Sequence, residues 1–176
     1  MRASRETLKL NYRPARRAST PHEKTASMPA TPAPSAPLPC PLCAPDAETV
    51  VWADESCRVI RVDEHDFAGF CRVVWREHVA ELSDLPVPAQ RHLMNVVCAV
   101  ELALRQLMQP AKVNLASLGN MVPHLHWHVI PRFTDDSRFP DPVWASARRI
   151  GAVRQAPSVA QLNEAITQSL NELTAG

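Results

Sequence analysis

The sequence predicts an α+β fold for its 176 residues. Three observations support this class. Before residue 76 and after residue 111, short segments rich in β-branched and aromatic residues alternate with residues typical of turns. A long segment between these two regions has apolar residues at helical spacing. Another segment with helical spacing lies near the C-terminus. Three strands, a long helix, two strands and a C-terminal helix in this order are typical of the α+β class.

The first three strands are predicted around residues 50–52, 57–62 and 70–75, and an acidic turn over 63–66 separates the second from the third. The long helix is predicted over about 87–108 and stops at Pro110, because proline cannot continue a helix. Its apolar stripe comprises Leu93, Val96, Val97, Val100, Leu104, Leu107 and Met108.

Two further strands are predicted over 112–118 and 125–132, joined by a turn at Gly119-Asn120. The last helix is predicted over 158–173, with Ser158 as its N-cap and an apolar stripe along one side. A chain of this length suits one folded domain rather than two.

The N-terminal region differs from the rest in charge and proline content. Residues 1–37 contain seven Lys/Arg against two acidic residues, and nine of the 17 prolines lie at or before Pro45. We therefore expect residues 1–37 to form a disordered, basic, Pro-rich tail. Tyr12 is the tail's only aromatic residue, which disfavours a nucleic-acid partner.

Composition also excludes several classes of protein. No apolar run is long enough to span a membrane, and the first residues lack the apolar stretch of a secretory signal. Five cysteines are an odd number, and only Cys40 and Cys43 form a recognisable pair, which argues against a disulfide framework. We expect a reducing, cytoplasmic setting and no membrane partner.

The segment with the clearest chemical meaning is 123–131, which reads PHLHWHVIP. Alternate residues of a strand share one face, so His124, His126 and His128 would project together while the apolar residues between them enter the core. Clustered imidazoles can supply a nucleophile, a proton donor and a metal ligand. The alternative is a solvated strand face that carries histidine by chance.

A second motif is Cys40-Pro41-Leu42-Cys43. Two cysteines at this spacing form half of many tetrahedral zinc sites, but a redox pair has the same spacing. Pro39 and the tail precede the motif, whereas a thioredoxin-like motif needs a preceding strand. A redox pair and two inert thiols remain open alternatives.

The segment 124–130 resembles the signature of the histidine triad (HIT) family, in which three histidines alternate with apolar residues and two apolar residues follow. Asn114 and Gly119-Asn120 stand where the family has an Asn and a Gly-Gln/Asn pair. Asp63 matches the residue that holds the nucleotide ribose. The resemblance covers residues 38–145, which implies a HIT domain with an antiparallel sheet of about five strands, followed by a C-terminal extension over 146–176 that carries the last helix.

This resemblance implies a nucleotide hydrolase or nucleotidyl transferase acting at the α-phosphate of a dinucleoside polyphosphate or nucleoside phosphoramidate. By position, His126 is the nucleophile of a covalent nucleotidyl-histidine intermediate, and His128 and Asn120 are hydrogen-bond donors to the phosphate. The substrate-binding set is Asp63, Asn114, Gly119, Asn120 and His128. The alternative is a nucleotide-binding or regulatory HIT module with little turnover, since Met121 stands where many members have Ser or Thr.

The zinc-bearing branch of the same family implies a metal site. There a His after the third strand and the first histidine of the triad join the cysteine pair. The corresponding set in this sequence is Cys40, Cys43, His78 and His124, which would hold a structural zinc ion. The resemblance further implies a homodimer and no organic cofactor.

Overall fold

The computed structural model describes residues 40–44 and 48–175, so the predicted tail over 1–37 lies outside the described residues. The described part contains strands β1 (Thr49–Ala53), β2 (Cys57–Arg61) and β3 (Cys71–Trp75), helix α1 (Val87–Met108), strands β4 (Lys112–Ser117) and β5 (His126–Arg132), and helix α2 (Val159–Thr174). The predicted α+β class is confirmed. Neither helix is long and apolar enough to cross a membrane, within the residues described.

The five strands form one antiparallel sheet in the order β1-β2-β3-β5-β4. The strand that carries the last two histidines of the triad, β5, lies between β3 and β4, and β4 is an edge strand. Neighbours on both sides fix the register of β5, and register decides which side chains face each other.

The hydrophobic core lies between the sheet and the two helices. Helix α1 has the bounds that its periodicity predicts, and the cap at Ser158 is confirmed, because its side chain accepts a hydrogen bond from the backbone N–H of Gln161 at 3.2 Å. The core includes fully buried residues of both helices and of three strands: Val59, Val73, Leu93, Val96, Val97, Val100, Leu104, Val129, Leu162 and Ile166. Because side chains alternate along a strand, the intervening positions face away from α1.

Candidate active site and metal centre

The sheet face opposite α1 carries a cavity of about 820 Å³ lined by His126 and His128. Strand β3 contributes Arg72, which stands directly opposite His128 in the register of the sheet. The loop between β4 and β5 contributes Asn120 and Met121. A cavity of this size is within the range of small-molecule sites.

His126 is 6% exposed and is held in one tautomer. Its Nδ1 lies 2.6 Å from the carbonyl oxygen of His124. A carbonyl oxygen only accepts, so Nδ1 carries the proton and Nε2 keeps its lone pair. Burial lowers the pKa of His126 below its usual value, and the nearby charge of Arg72 acts in the same direction. His126 is therefore a neutral imidazole with a free lone pair at pH 7.

His128 lies beside it, with the two ring centroids 5.0 Å apart. Burial, the charge of Arg72 and the neighbouring His126 lower the pKa of His128 to about 4. Its Nε2 is buried and has no hydrogen-bond partner among the described residues. His128 is thus also neutral at pH 7, with one ring nitrogen available to a ligand.

Arg72 also lines this cavity and was not among the residues predicted from the sequence. Its Nε is buried without a hydrogen-bond partner in the described part of the chain, and its guanidinium carbon lies 5.4 Å from the ring centroid of Phe70. The sequence did indicate that Arg72 faces away from the core. It stands between apolar strand residues, and because Val73 faces the core, its neighbour Arg72 must face the other side. Placing it beside the histidines required the pairing of β3 with β5, which strand periodicity does not give.

The predicted substrate-binding residues do not all gather in this cavity. Asn120 lines it from an exposed loop position, and Gly119 is the exposed residue just before. Asn114 lies on β4 and lines an adjacent cavity of about 540 Å³ that His128 also borders. Asp63 is exposed two residues after β2 and lines neither of these two cavities.

Four ligand atoms of the predicted metal set converge in one cluster. The ligand atoms of Cys40, Cys43, His78 and His124 all lie within 4.8 Å of one another. His124 precedes β5, and its Nε2 donates a hydrogen bond of 2.7 Å to the carbonyl oxygen of Trp75. Its Nδ1 therefore lacks a proton and faces both sulfurs at 3.5 Å.

These distances fit a tetrahedral zinc ion. Zn–S bonds of about 2.3 Å and Zn–N bonds of about 2.0–2.1 Å at tetrahedral angles separate S from N by about 3.5–3.6 Å. The corresponding separations are 3.5 Å from His124 to each sulfur and 3.2 Å from Cys43 Sγ to His78 Nδ1. Two thiols and two imidazoles also form the ligand set that zinc prefers.

The family model described as HIT domain matches residues 45–135. The chain belongs to the HIT family. Among similar solved structures, a histidine triad protein from Bradyrhizobium japonicum is 27% identical with a TM-score of 0.57, and the match covers 70% of this chain and 90% of that one. One from Marinobacter aquaeolei is 26% identical with a TM-score of 0.56, covering 72% and 91%. A search of curated proteins finds no match.

A Zn-bound histidine triad family protein from Mycobacterium smegmatis shares the fold, at 20% identity and a TM-score of 0.51 over 78% of this chain and 96% of that one. HIT proteins are generally nucleotide-binding hydrolases or transferases. Within the HIT signature of this chain, the three histidines have different surroundings: His124 faces two cysteines, whereas His126 and His128 line the cavity.

Proposed function

We propose that this HIT protein is a nucleotide hydrolase or nucleotidyl transferase that attacks the α-phosphate of a nucleotide through His126. The observation that carries the proposal is the hydrogen bond from Nδ1 of His126 to the carbonyl oxygen of His124. It leaves Nε2 with a lone pair in a cavity large enough for a nucleotide. A neutral imidazole oriented in this way is an activated nucleophile.

The reaction has two steps. Nε2 of His126 forms a bond to the α-phosphorus while the bond from phosphorus to the leaving group breaks, and the leaving group takes that electron pair. An amine leaving group also takes a proton from solvent. Water or another acceptor then attacks phosphorus, loses a proton to solvent, and returns the electron pair of the P–N bond to Nε2. His128 and the amide of Asn120 donate hydrogen bonds to phosphate oxygens as charge develops on them.

The remaining substrate-binding roles follow family position. We assign Asp63 to the ribose, and Gly119 and Asn114 to the substrate beside the histidines. The substrate class is a dinucleoside polyphosphate or a nucleoside phosphoramidate, both of which carry the same α-phosphate chemistry. The protein needs no organic cofactor for these steps.

We propose a structural zinc ion on Cys40, Cys43, His78 and His124. The Zn-bound relative from Mycobacterium smegmatis and the tetrahedral spacing of the ligand atoms support it. Four protein ligands complete the tetrahedron, so the ion stabilises the fold and leaves no position for a catalytic water. It also fixes the residue whose carbonyl oxygen orients His126.

We further propose a cytoplasmic homodimer. The exposed edge strand β4 supports the dimer, because its unpaired backbone groups and the 37% exposed Leu115 are available to a second copy. Light scattering on the purified protein measures this directly, and a monomeric mass at micromolar concentration contradicts it.

The test of the function is intact-protein mass spectrometry after a brief, acid-free quench with adenine nucleotides, including diadenosine polyphosphates and an adenosine phosphoramidate. We expect a nucleotidyl adduct on the wild type and none on His126→Ala, with turnover at least about 10³-fold lower in the variant. His65→Ala is the matched control, because His65 is exposed and outside the cavity. Turnover at the wild-type rate in His126→Ala would falsify the mechanism.

The second candidate is a nucleotide-binding module with little turnover. It is favoured by Met121, which is 93% exposed at the cavity and has no strong hydrogen-bonding group for a leaving group. Nucleotide binding without an adduct or hydrolysis across the panel would select this candidate.

A further inference from the structure

Within the described residues, the histidine cavity contains a cation with no hydrogen-bond or ion-pair partner. Arg72 is the only arginine or lysine among its described lining residues, and in the described chain it makes neither a hydrogen bond nor an ion pair. An arginine with a buried Nε and no partner destabilises the folded protein, since charged groups lose favourable hydration when they are buried. Such a group at the wall of a cavity is suited to bind an anionic ligand.

Glu48, the acidic residue among the described lining residues, makes no ion pair with Arg72. Its two carboxylate oxygens accept hydrogen bonds from Arg58, at 2.7 Å from Nε and 3.1 Å from Nη2, and Arg58 also donates to the carbonyl oxygen of Leu42 at 2.9 Å. Burial lowers the pKa of Arg72, and the more distant charges of Glu48 and Glu64 only partly offset this effect. Within the described residues, the guanidinium therefore has no direct counter-ion and is able to bind an anionic ligand.

Arg72 lies beside His128, which the proposed function assigns to the phosphate. Arg72 and His128 are direct cross-strand partners, which places their Cβ atoms about 4.5–5.5 Å apart on one face of the sheet. The ring of Phe70 packs against both, with 5.4 Å to the guanidinium carbon and 5.3 Å to the centroid of the His128 ring. Phe70 therefore holds the two groups side by side at the cavity.

We infer that Arg72 binds the phosphate chain of the substrate and makes the site selective for anionic leaving groups. Arginine suits this role because its planar fork binds two phosphate oxygens at once. The inference rests on the proposed function in taking the ligand to be a nucleotide.

The charge of Arg72 also bears on the leaving group. Arg72 is the only arginine or lysine among the described residues that line the cavity. A phosphate leaving group departs as an anion, and Arg72 stabilises the negative charge that develops on it. An amine leaving group departs uncharged once it has taken up a proton, so it gains less from this charge.

The test compares three ligands that differ only in phosphate: adenosine, AMP and ADP. Calorimetric titration of the full chain is expected to show AMP affinity falling roughly 10- to 100-fold in Arg72→Met, ADP affinity falling at least as much, and adenosine affinity unchanged. The AMP affinity of Arg72→Lys is expected to lie between those of the wild type and Arg72→Met, because lysine keeps the positive charge but lacks the planar guanidinium that binds two phosphate oxygens. Arg91→Gln, at an exposed position on α1, is the matched control and should bind as the wild type does.

The melting temperature and the turnover rates of Arg72→Met provide two further tests of this inference. Arg72→Met should melt at the same temperature as the wild type or higher, because it removes an unpaired, partly buried charge. It should slow the turnover of a diadenosine polyphosphate more than that of an adenosine phosphoramidate. If Arg72→Met does not fold, or melts lower, Arg72 has a structural role, and the inference is overturned unless Arg72→Lys lowers AMP affinity without affecting adenosine.

The outcomes separate this inference from the proposed function. An adduct on His126 combined with unchanged AMP affinity in Arg72→Met overturns the role of Arg72 alone. Loss of AMP affinity in that variant with no adduct on the wild type overturns the catalytic proposal alone. If Arg72→Met loses affinity for adenosine and for AMP to the same extent, the inference is also overturned, because Arg72 would then contact the nucleoside or shape the cavity.

Discussion

The carbonyl oxygen of His124 lies 2.6 Å from Nδ1 of His126, while the imidazole of the same His124 faces Cys40 and Cys43. One residue thus contacts both the cysteine cluster and the candidate nucleophile. Disturbing the cluster should therefore alter the chemistry, even though none of its four proposed metal ligands is assigned to the phosphate.

Cys43→Ser tests this link. We expect about one zinc ion per wild-type chain and much less in the variant, measured by elemental analysis, with a lower unfolding temperature because a structural metal stabilises the folded state. Adduct formation at His126 should slow as well, because the carbonyl that orients it loses its support. Cys98→Ser on α1 is the control, since Cys98 lies outside the cluster. A metal-free wild type would rule out the zinc site.

The low pKa of His128 predicts an acid-sensitive fold. Its folded-state pKa of about 4 lies below the unfolded value of about 6.5, so at intermediate pH the unfolded chain binds a proton that the folded chain does not. This contribution is fully present above pH 6.5 and is lost as the pH falls toward 4. We expect a loss of about 1–3 kcal/mol over this window.

Urea unfolding at several pH values measures this contribution. The difference in unfolding free energy between the wild type and His128→Asn isolates it, because asparagine does not titrate and other acid-sensitive groups are common to both proteins. Parallel pH profiles for the two proteins would show that His128 titrates normally.

A buried ion pair contacts Asn114, which lines the smaller cavity that His128 also borders. Arg132 is 2% exposed, donates to Asp136 at 2.7 Å and donates to Oδ1 of Asn114 at 2.8 Å. Burial alone raises the pKa of Asp136, but the hydrogen bond from Arg132 and others from the backbone outweigh it and hold that pKa below its usual value. The pair therefore stabilises the fold above the unfolded pKa of about 4, and this stability is lost as the pH falls further.

Asp136→Asn should lower the free energy of unfolding by about 3–5 kcal/mol, since it leaves a buried guanidinium without its counter-ion. The adjacent Asp135 offers a matched control, because its side chain is 53% exposed and its pair with Arg154 lies at the surface. Asp135→Asn should change stability by less than about 1 kcal/mol. Similar effects of the two variants, measured by denaturant unfolding, would contradict this role for the buried pair.

Local sequence patterns predicted the helices and strands well. The site was predicted less completely, because it depends on which strands pair across the sheet. The bounds of α1 follow from apolar spacing and proline positions, and His126 and His128 share a face because strand alternation requires it. Arg72 could not be placed, because nothing local shows that β3 pairs with β5. Asp63 was matched by its position relative to a strand, and the structure leaves it outside both cavities.

Helix α2 makes the folding unit longer than the segment by which the family is detected. The family match ends at residue 135, yet Leu162 and Ile166 are fully buried in the same core as α1, and Asn163 donates to the carbonyl oxygen of Val51 at 2.9 Å. Trimming the gene to the matched segment would expose the apolar side of α1 to water and favour aggregation. Expression boundaries for this protein should therefore be drawn from the packing of its last helix.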